Sequence, residues 1–245
     1  LHKTQANSYG LATYPLYTID ENSFYERVNQ GKFFYQKKEL RKYLEAEQSL
    51  LLKIKPDLVV SDFRLTASIS AQLCNIPLLN LSNSYWCPNY ACPFPAPDAG
   101  IFKYLSQHAT DCIFNLIRPI AFKIFGKELN QTRKFFGLKK KKDFRELYTD
   151  GSFTAYMDLP NFINIKTLPE NHFFLGPIIW SPEVKAKNYS LKLKNNVYIS
   201  MGSSGKNDLL PYIINSALKN NLNIILSGVN SIEKEKLIRN IPDLK

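Results

Sequence analysis

The sequence predicts an α/β chain whose parallel sheets are divided between two domains, and three observations carry that expectation. Leu58-Val59-Val60 and Leu78-Leu79-Asn80-Leu81 are short apolar runs of the kind found in parallel strands buried on both faces, and the Ala/Leu-containing stretch from Ala67 to Leu73 joins them as a β-α-β unit. Val197 to Met201 reads as another buried strand, leading through a small-residue turn into an amphipathic helix. Between the two lies Ser181 to Lys194, which is Lys-rich and nearly free of large apolar residues, as an interdomain linker is. The expected organisation is a first domain over 1–180, a linker over 181–194 and the start of a second domain over 195–245.

Taken in order, Tyr14 to Ile19 reads as a short extended piece, and Asp20-Glu21-Asn22 can cap a short helix around Phe24 to Val28. From Lys32 to Lys55 apolar residues recur at helical spacing through Phe33, Phe34, Leu40, Tyr43, Leu44, Leu50, Leu51 and Ile54, which predicts a long amphipathic helix ended by Pro56. The first β-α-β unit follows, and Asn83 to Gly100 is a proline-rich ordered loop over the cleft that such sheets leave at their strand ends. Ile101 to Phe136 is amphipathic and is expected to form two or more helices, interrupted by Pro119 and Gly126. Strand character returns at Tyr148 to Gly151, at Phe153 to Asp158 and near Phe173. Beyond the linker come a helix from about Leu209 to Asn220, a strand at Asn223 to Leu226 and a helix from about Ile232 to Arg239. The chain begins at Leu1 and stops soon after this second βα unit, so both domains are expected to be incomplete.

At 245 residues, with 44% hydrophobic and 13% aromatic content, the chain can fill real cores. It contains neither an apolar run long enough to span a bilayer nor a signal-peptide pattern at its start, which leads to a cytoplasmic expectation. A net charge of +11 favours anionic partners. Lys139 to Lys142, with Arg133, Lys134 and Arg145, reads either as a solvated loop or as a peripheral contact with anionic membrane; no nucleic-acid motif accompanies it. Cys74, Cys87, Cys92 and Cys112 are irregularly spaced without a nearby His pair, so no metal site and no disulfide framework is expected.

Pro15 to Asp20, Pro56 to Leu65, Asn83 to Pro88, Tyr148 to Gly151, Leu175 to Pro182 and Val197 to Gly205, taken together and in that order, resemble the macrolide-type bacterial UDP-glycosyltransferases of the GT-B fold. The resemblance implies two Rossmann-like domains facing across a cleft, acceptor held mainly by the first and nucleotide-sugar by the second. It implies inverting, metal-independent transfer of a sugar from a UDP-sugar co-substrate to a hydroxyl of a small-molecule, lipid or glycan acceptor, with no other cofactor. It also implies that the basic His lies upstream of residue 1 and the His-x-Gly-Gly donor signature downstream of residue 245, so the chain alone is expected to be inactive. The alternatives are a GT-B-like sugar-nucleotide epimerase and a non-catalytic glycan- or membrane-binding relative.

Individual residues follow. Gly202, Ser203, Ser204 and Gly205 form the turn where helix amides and hydroxyls can meet donor phosphate, or an ordinary strand-helix connector. Asp62 ends a strand beside the cleft and either orients a base or caps the next helix; Thr66 stands near where relatives carry the acid partner of the base. Arg64, Asn83, Tyr85 and Trp86 are acceptor-cleft candidates, with loop anchoring as the other reading of the two aromatics. None of His2, His108 and His172 sits in the expected base position, so no catalytic base is named.

Overall fold

The computed structural model describes residues 2–30, 32–96, 106–179, 194–201 and 209–228. The chain divides into two compact units, Leu1–Trp180 and Ser181–Lys245.

The first unit is built on a four-stranded parallel sheet in the order β1(Val59–Asp62), β2(Leu78–Ser82), β3(Phe153–Tyr156), β4(His172–Phe174). Parallel neighbours need long crossovers. The first is α4(Ala67–Leu73); the second carries α5(Gln107–Phe125), α6(Lys127–Phe135) and a 3₁₀ turn at Phe144–Leu147. Three helices precede the sheet: α1(His2–Ser8), α2(Glu21–Asn29) and α3(Lys37–Ile54). Gln36 and Glu39 form a capping box at the start of α3, and Glu39 also receives two 2.6 Å hydrogen bonds from Arg27. Its end is set by Lys55, which takes a left-handed φ of 52° immediately before Pro56.

The main core of this unit gathers Leu40, Tyr43 and Leu44 of α3, Ile69 of α4, Leu129 of α6, and Phe144, Leu147 and Tyr148. It is aromatic-rich, with Phe33, Phe34, Phe122 and Phe125 packed around it. The described residues of the second unit hold β5(Asn196–Ser200) and β6(Asn223–Ser227), paired in parallel through α7(Leu210–Lys219), over Ile199, Leu210 and Ile214.

Four local expectations are revised. The helix starts at Lys37 rather than Lys32, because Phe33 and Phe34 face the core from the preceding coil. Among the described residues β1 is an edge strand, and Val60 is 56% exposed, so that β1 is not buried on both faces as expected. Pro119 does not interrupt its helix; it lies on the exposed side of α5, where water can replace the hydrogen bond it removes, and the break falls at Gly126 alone. Tyr148 to Gly151 is a turn after the 3₁₀ segment, not a strand. The helix expected from Ile232 to Arg239 lies outside the described residues.

Candidate functional site

Ligand sites of parallel α/β sheets lie at the carboxyl ends of the strands, because the connections there leave polar backbone groups free and form a crevice. β1 ends in Ser61-Asp62, and the next residue, Phe63, has φ 53°. A bulky residue in the left-handed region costs of the order of 1–2 kcal/mol and persists only where its surroundings hold it. Here the hold is visible on both sides: the Phe63 ring meets Tyr148 edge-on at 5.6 Å, and the following Arg64 is anchored. The Arg64 guanidinium donates from Nε to Glu47 Oε1 at 2.5 Å and from Nη2 to the Tyr17 carbonyl at 2.9 Å, and it lies 4.9 Å from the Tyr43 ring centre.

Glu47 is the keystone of this arrangement. It is buried on α3 and accepts from Arg64, from Thr66 Oγ1 at 2.5 Å and from Ser70 Oγ at 2.5 Å. A buried carboxylate given three donors, one of them cationic, is satisfied rather than stranded. The sequence carries its signal in plain view: Leu40, Tyr43, Leu44 and Glu47 fall on one helical stripe, and a carboxylate on an otherwise buried stripe demands partners. Sequence reasoning missed it because those partners come from the β1–α4 connection and from α4.

Around Arg64 opens a cleft of about 900 Å³. Its walls are largely aromatic, through Phe24, Tyr25, Phe34, Tyr35, Tyr43 and Tyr148, with polar groups from Thr18, Asp20, Glu21 and Asp62. This is the usual makeup of a small-molecule site, an apolar body with a few placed polar groups. Burial pushes the Tyr35 and Tyr148 phenols well above their ordinary range, so both stay neutral. Tyr43 accepts from the Ile19 amide at 2.9 Å, tying the segment before α2 to the cleft floor, and Ser23 holds the Asp20 carboxyl below its usual range.

Of the residues singled out in the sequence, Asp62 and Arg64 line this cleft together. Asp62 does not cap α4, whose N-cap position is Thr66. Thr66 itself is fully buried beneath the cleft with its hydroxyl given to Glu47. Asn83, Tyr85 and Trp86 belong to a 3₁₀ turn and do not line it; Trp86 stacks on the back of Tyr148, ring centres 4.0 Å apart and planes 13° apart. That turn is pinned by Asp158, which accepts from the amide and hydroxyl of Ser84. His172 is buried, bonded through Nδ1 to the Tyr156 hydroxyl at 2.7 Å, and burial lowers its pKa to about 4. His108 is exposed on α5, and the His2 side chain lies outside the described residues. Gly202, Ser203, Ser204 and Gly205 also lie outside them; β5 runs up to Ser200 just before.

The basic run is partly committed to internal pairing. Lys141 bonds the buried Asp150 at 2.5 Å, Arg133 bonds the same carboxylate, and Arg145 pairs with Asp143. Lys134, Lys139, Lys140 and Lys142 remain exposed. The described residues contain no group of His, Cys, Asp and Glu placed to hold a metal ion, and no helix among them is long and apolar enough to cross a membrane.

No protein-family model matches the chain. It is 35% identical over 207 residues to a PGL/p-HBAD biosynthesis glycosyltransferase of Mycobacterium tuberculosis, covering 83% of this chain and 48% of that protein. An inactive PGL/p-HBAD biosynthesis glycosyltransferase of Mycobacterium bovis matches at the same identity and length, with 57% of it covered. A PGL/p-HBAD biosynthesis rhamnosyltransferase of M. bovis is 35% identical over 205 residues, 82% of this chain and 45% of that protein. The chain thus spans about half the length of the curated relatives it matches. Among solved structures, a spinosyn forosaminyltransferase aligns over 93% of this chain and 56% of its own, at 16% identity and a TM-score of 0.48.

Proposed function

We propose that this chain is part of a GT-B glycosyltransferase that moves a sugar from a nucleotide-sugar, a UDP-sugar, to an acceptor hydroxyl with inversion. The observation that carries the reading is the 35% identity over 207 residues to proteins named for glycosyl transfer. The aromatic cleft at the end of β1 agrees with it, since it suits an acceptor with a flat or apolar body and a hydroxyl to be presented. In this reading the fixed Arg64 and the neighbouring Asp62 orient the acceptor, and positioning of this kind lowers the barrier by making the attack effectively unimolecular. The turn Gly202 to Gly205 is assigned to the donor diphosphate, whose charge grows as the sugar leaves and which helix amides and the Ser203 and Ser204 hydroxyls stabilise.

The test is made on the complete protein with a panel of nucleotide-sugars and hydroxylated aromatic acceptors. Nucleoside diphosphate is expected to be released only when acceptor is present. Release without acceptor points instead to an epimerase or hydrolase. The Ser203→Ala/Ser204→Ala double variant is expected to bind donor at least about tenfold more weakly, the loss of two phosphate hydrogen bonds; unchanged donor affinity removes the phosphate assignment. A second reading, a non-catalytic relative, is favoured by one observation: a relative of equal identity is named inactive. Under it the complete protein binds ligands but releases no diphosphate with any donor and acceptor pair.

A further inference from the structure

Helix α5 presents an apolar face to the outside. Ile113, Leu116, Ile117, Ile120 and Ile124 are all exposed, Leu116 by 80% and Ile120 and Ile124 by about two thirds. Their spacing places them within one stripe of the helical wheel. The opposite side of the same helix is used: Asp111 accepts from the Ala96 amide, Asn115 bonds both backbone groups of Phe94, and Arg118 lies over the Phe94 ring. The outward stripe is therefore not the core face displaced. Isolated exposed apolar residues need no explanation, but five on consecutive turns form the kind of patch that marks an interaction site.

Charge decides the occupant. Lys123 lies beside the stripe on α5 and Lys127 just beyond its end; α6 and the loop after it add the exposed Lys134, Lys139, Lys140 and Lys142. The chain as a whole carries +11. A second copy would bring the same positive charge to the contact. An anionic bilayer brings the opposite charge and accepts an apolar helix face at its interface, where lysines reach the headgroups.

We propose that α5 is a membrane-docking helix, lying in the plane of an anionic lipid surface with the stripe Ile113 to Ile124 inserted and Lys123 and Lys127 on the headgroups. This does not depend on the reaction assigned above, since neither the stripe nor these lysines line the cleft.

The experiment is flotation of the full chain with vesicles of phosphatidylcholine alone and of phosphatidylcholine with about one third phosphatidylglycerol. Binding is expected to the anionic vesicles only, to weaken with salt, and to fall at least about tenfold in the Leu116→Glu/Ile120→Glu variant. Thermal melts of that variant check its fold. A second measurement needs no stripe variant: Cys112, the exposed cysteine on α5, is labelled with a polarity-sensitive dye, with Cys74 and Cys92 replaced by Ser. A blue shift on anionic vesicles is expected. Binding that survives the double variant overturns the proposal in favour of the lysines alone. Absence of vesicle binding, with or without a dimer that Leu116→Glu dissolves, also overturns it, the dimer making the stripe a self-association face.

Discussion

At the scale of single residues, the site is governed by who neutralises whom. Arg64 is held by Glu47, and Glu47 in turn is held by Thr66 and Ser70, so the cation at the cleft is a fixed feature of the folded state. Removing one member of such a buried pair leaves its partner uncompensated, which typically costs about 3–5 kcal/mol. Arg64 keeps partial access to water, which places Glu47→Gln at the lower end, about 3 kcal/mol, measurable by urea unfolding. A second residue-scale outcome concerns His172, whose pKa burial lowers to about 4 from 6.5. The folded state keeps the ring neutral while the unfolded chain takes up a proton, so stability is full above pH 6.5 and is lost as the pH falls toward 4. His172→Asn is expected to flatten that part of the melting-temperature profile against pH. An unchanged slope places the acid sensitivity in the carboxylates.

At the scale of elements, the β2 to β3 approach depends on a glycine. A Cβ on Gly151 would stand 2.8 Å from the Leu78 carbonyl, 2.8 Å from Asn80 Nδ2 and 3.0 Å from the Phe153 carbonyl. Two of these are backbone atoms of strands that must stay in register, so Gly151→Ala is expected to cost about 1–3 kcal/mol, read from the urea midpoint. Gly137→Ala is the contrast: its φ of 73° strains any side chain, but nothing lies within 4 Å, and about 1 kcal/mol is expected. The element pattern was largely readable. Apolar runs marked β1 and β2, and the stripe Leu40, Tyr43, Leu44 marked α3, because period and burial are local consequences of side-chain chemistry. What misled was neighbourhood. An apolar run cannot reveal whether it will be a central or an edge strand, and a proline in a helix cannot reveal which side faces water.

At the scale of the whole molecule, every described residue lining the cleft belongs to the unit Leu1–Trp180, while the turn assigned to donor phosphate belongs to Ser181–Lys245. Acceptor and donor binding are therefore expected to be separable by mutation. Arg64→Ala should weaken acceptor binding about tenfold or more, the loss of a charge-assisted contact, while Ser203→Ala/Ser204→Ala leaves it unchanged. Calorimetry with each ligand in turn checks this, and parallel losses in both variants would contradict the assignment.

The sequence by itself determined the α/β class, the β-α-β order, the presence of a basic surface and the place of Asp62 and Arg64 at a strand end, because periodicity, chain punctuation and charge are written residue by residue. Tertiary structure decided the rest. It brought Glu47 from α3 onto Arg64, closed an aromatic cleft from segments more than a hundred residues apart, put Trp86 behind Tyr148 instead of in that cleft, and turned the stripe of α5 outward. Each of these depends on which faces meet across long loops, and the free energy of that meeting is shared among partners that no local window of sequence contains.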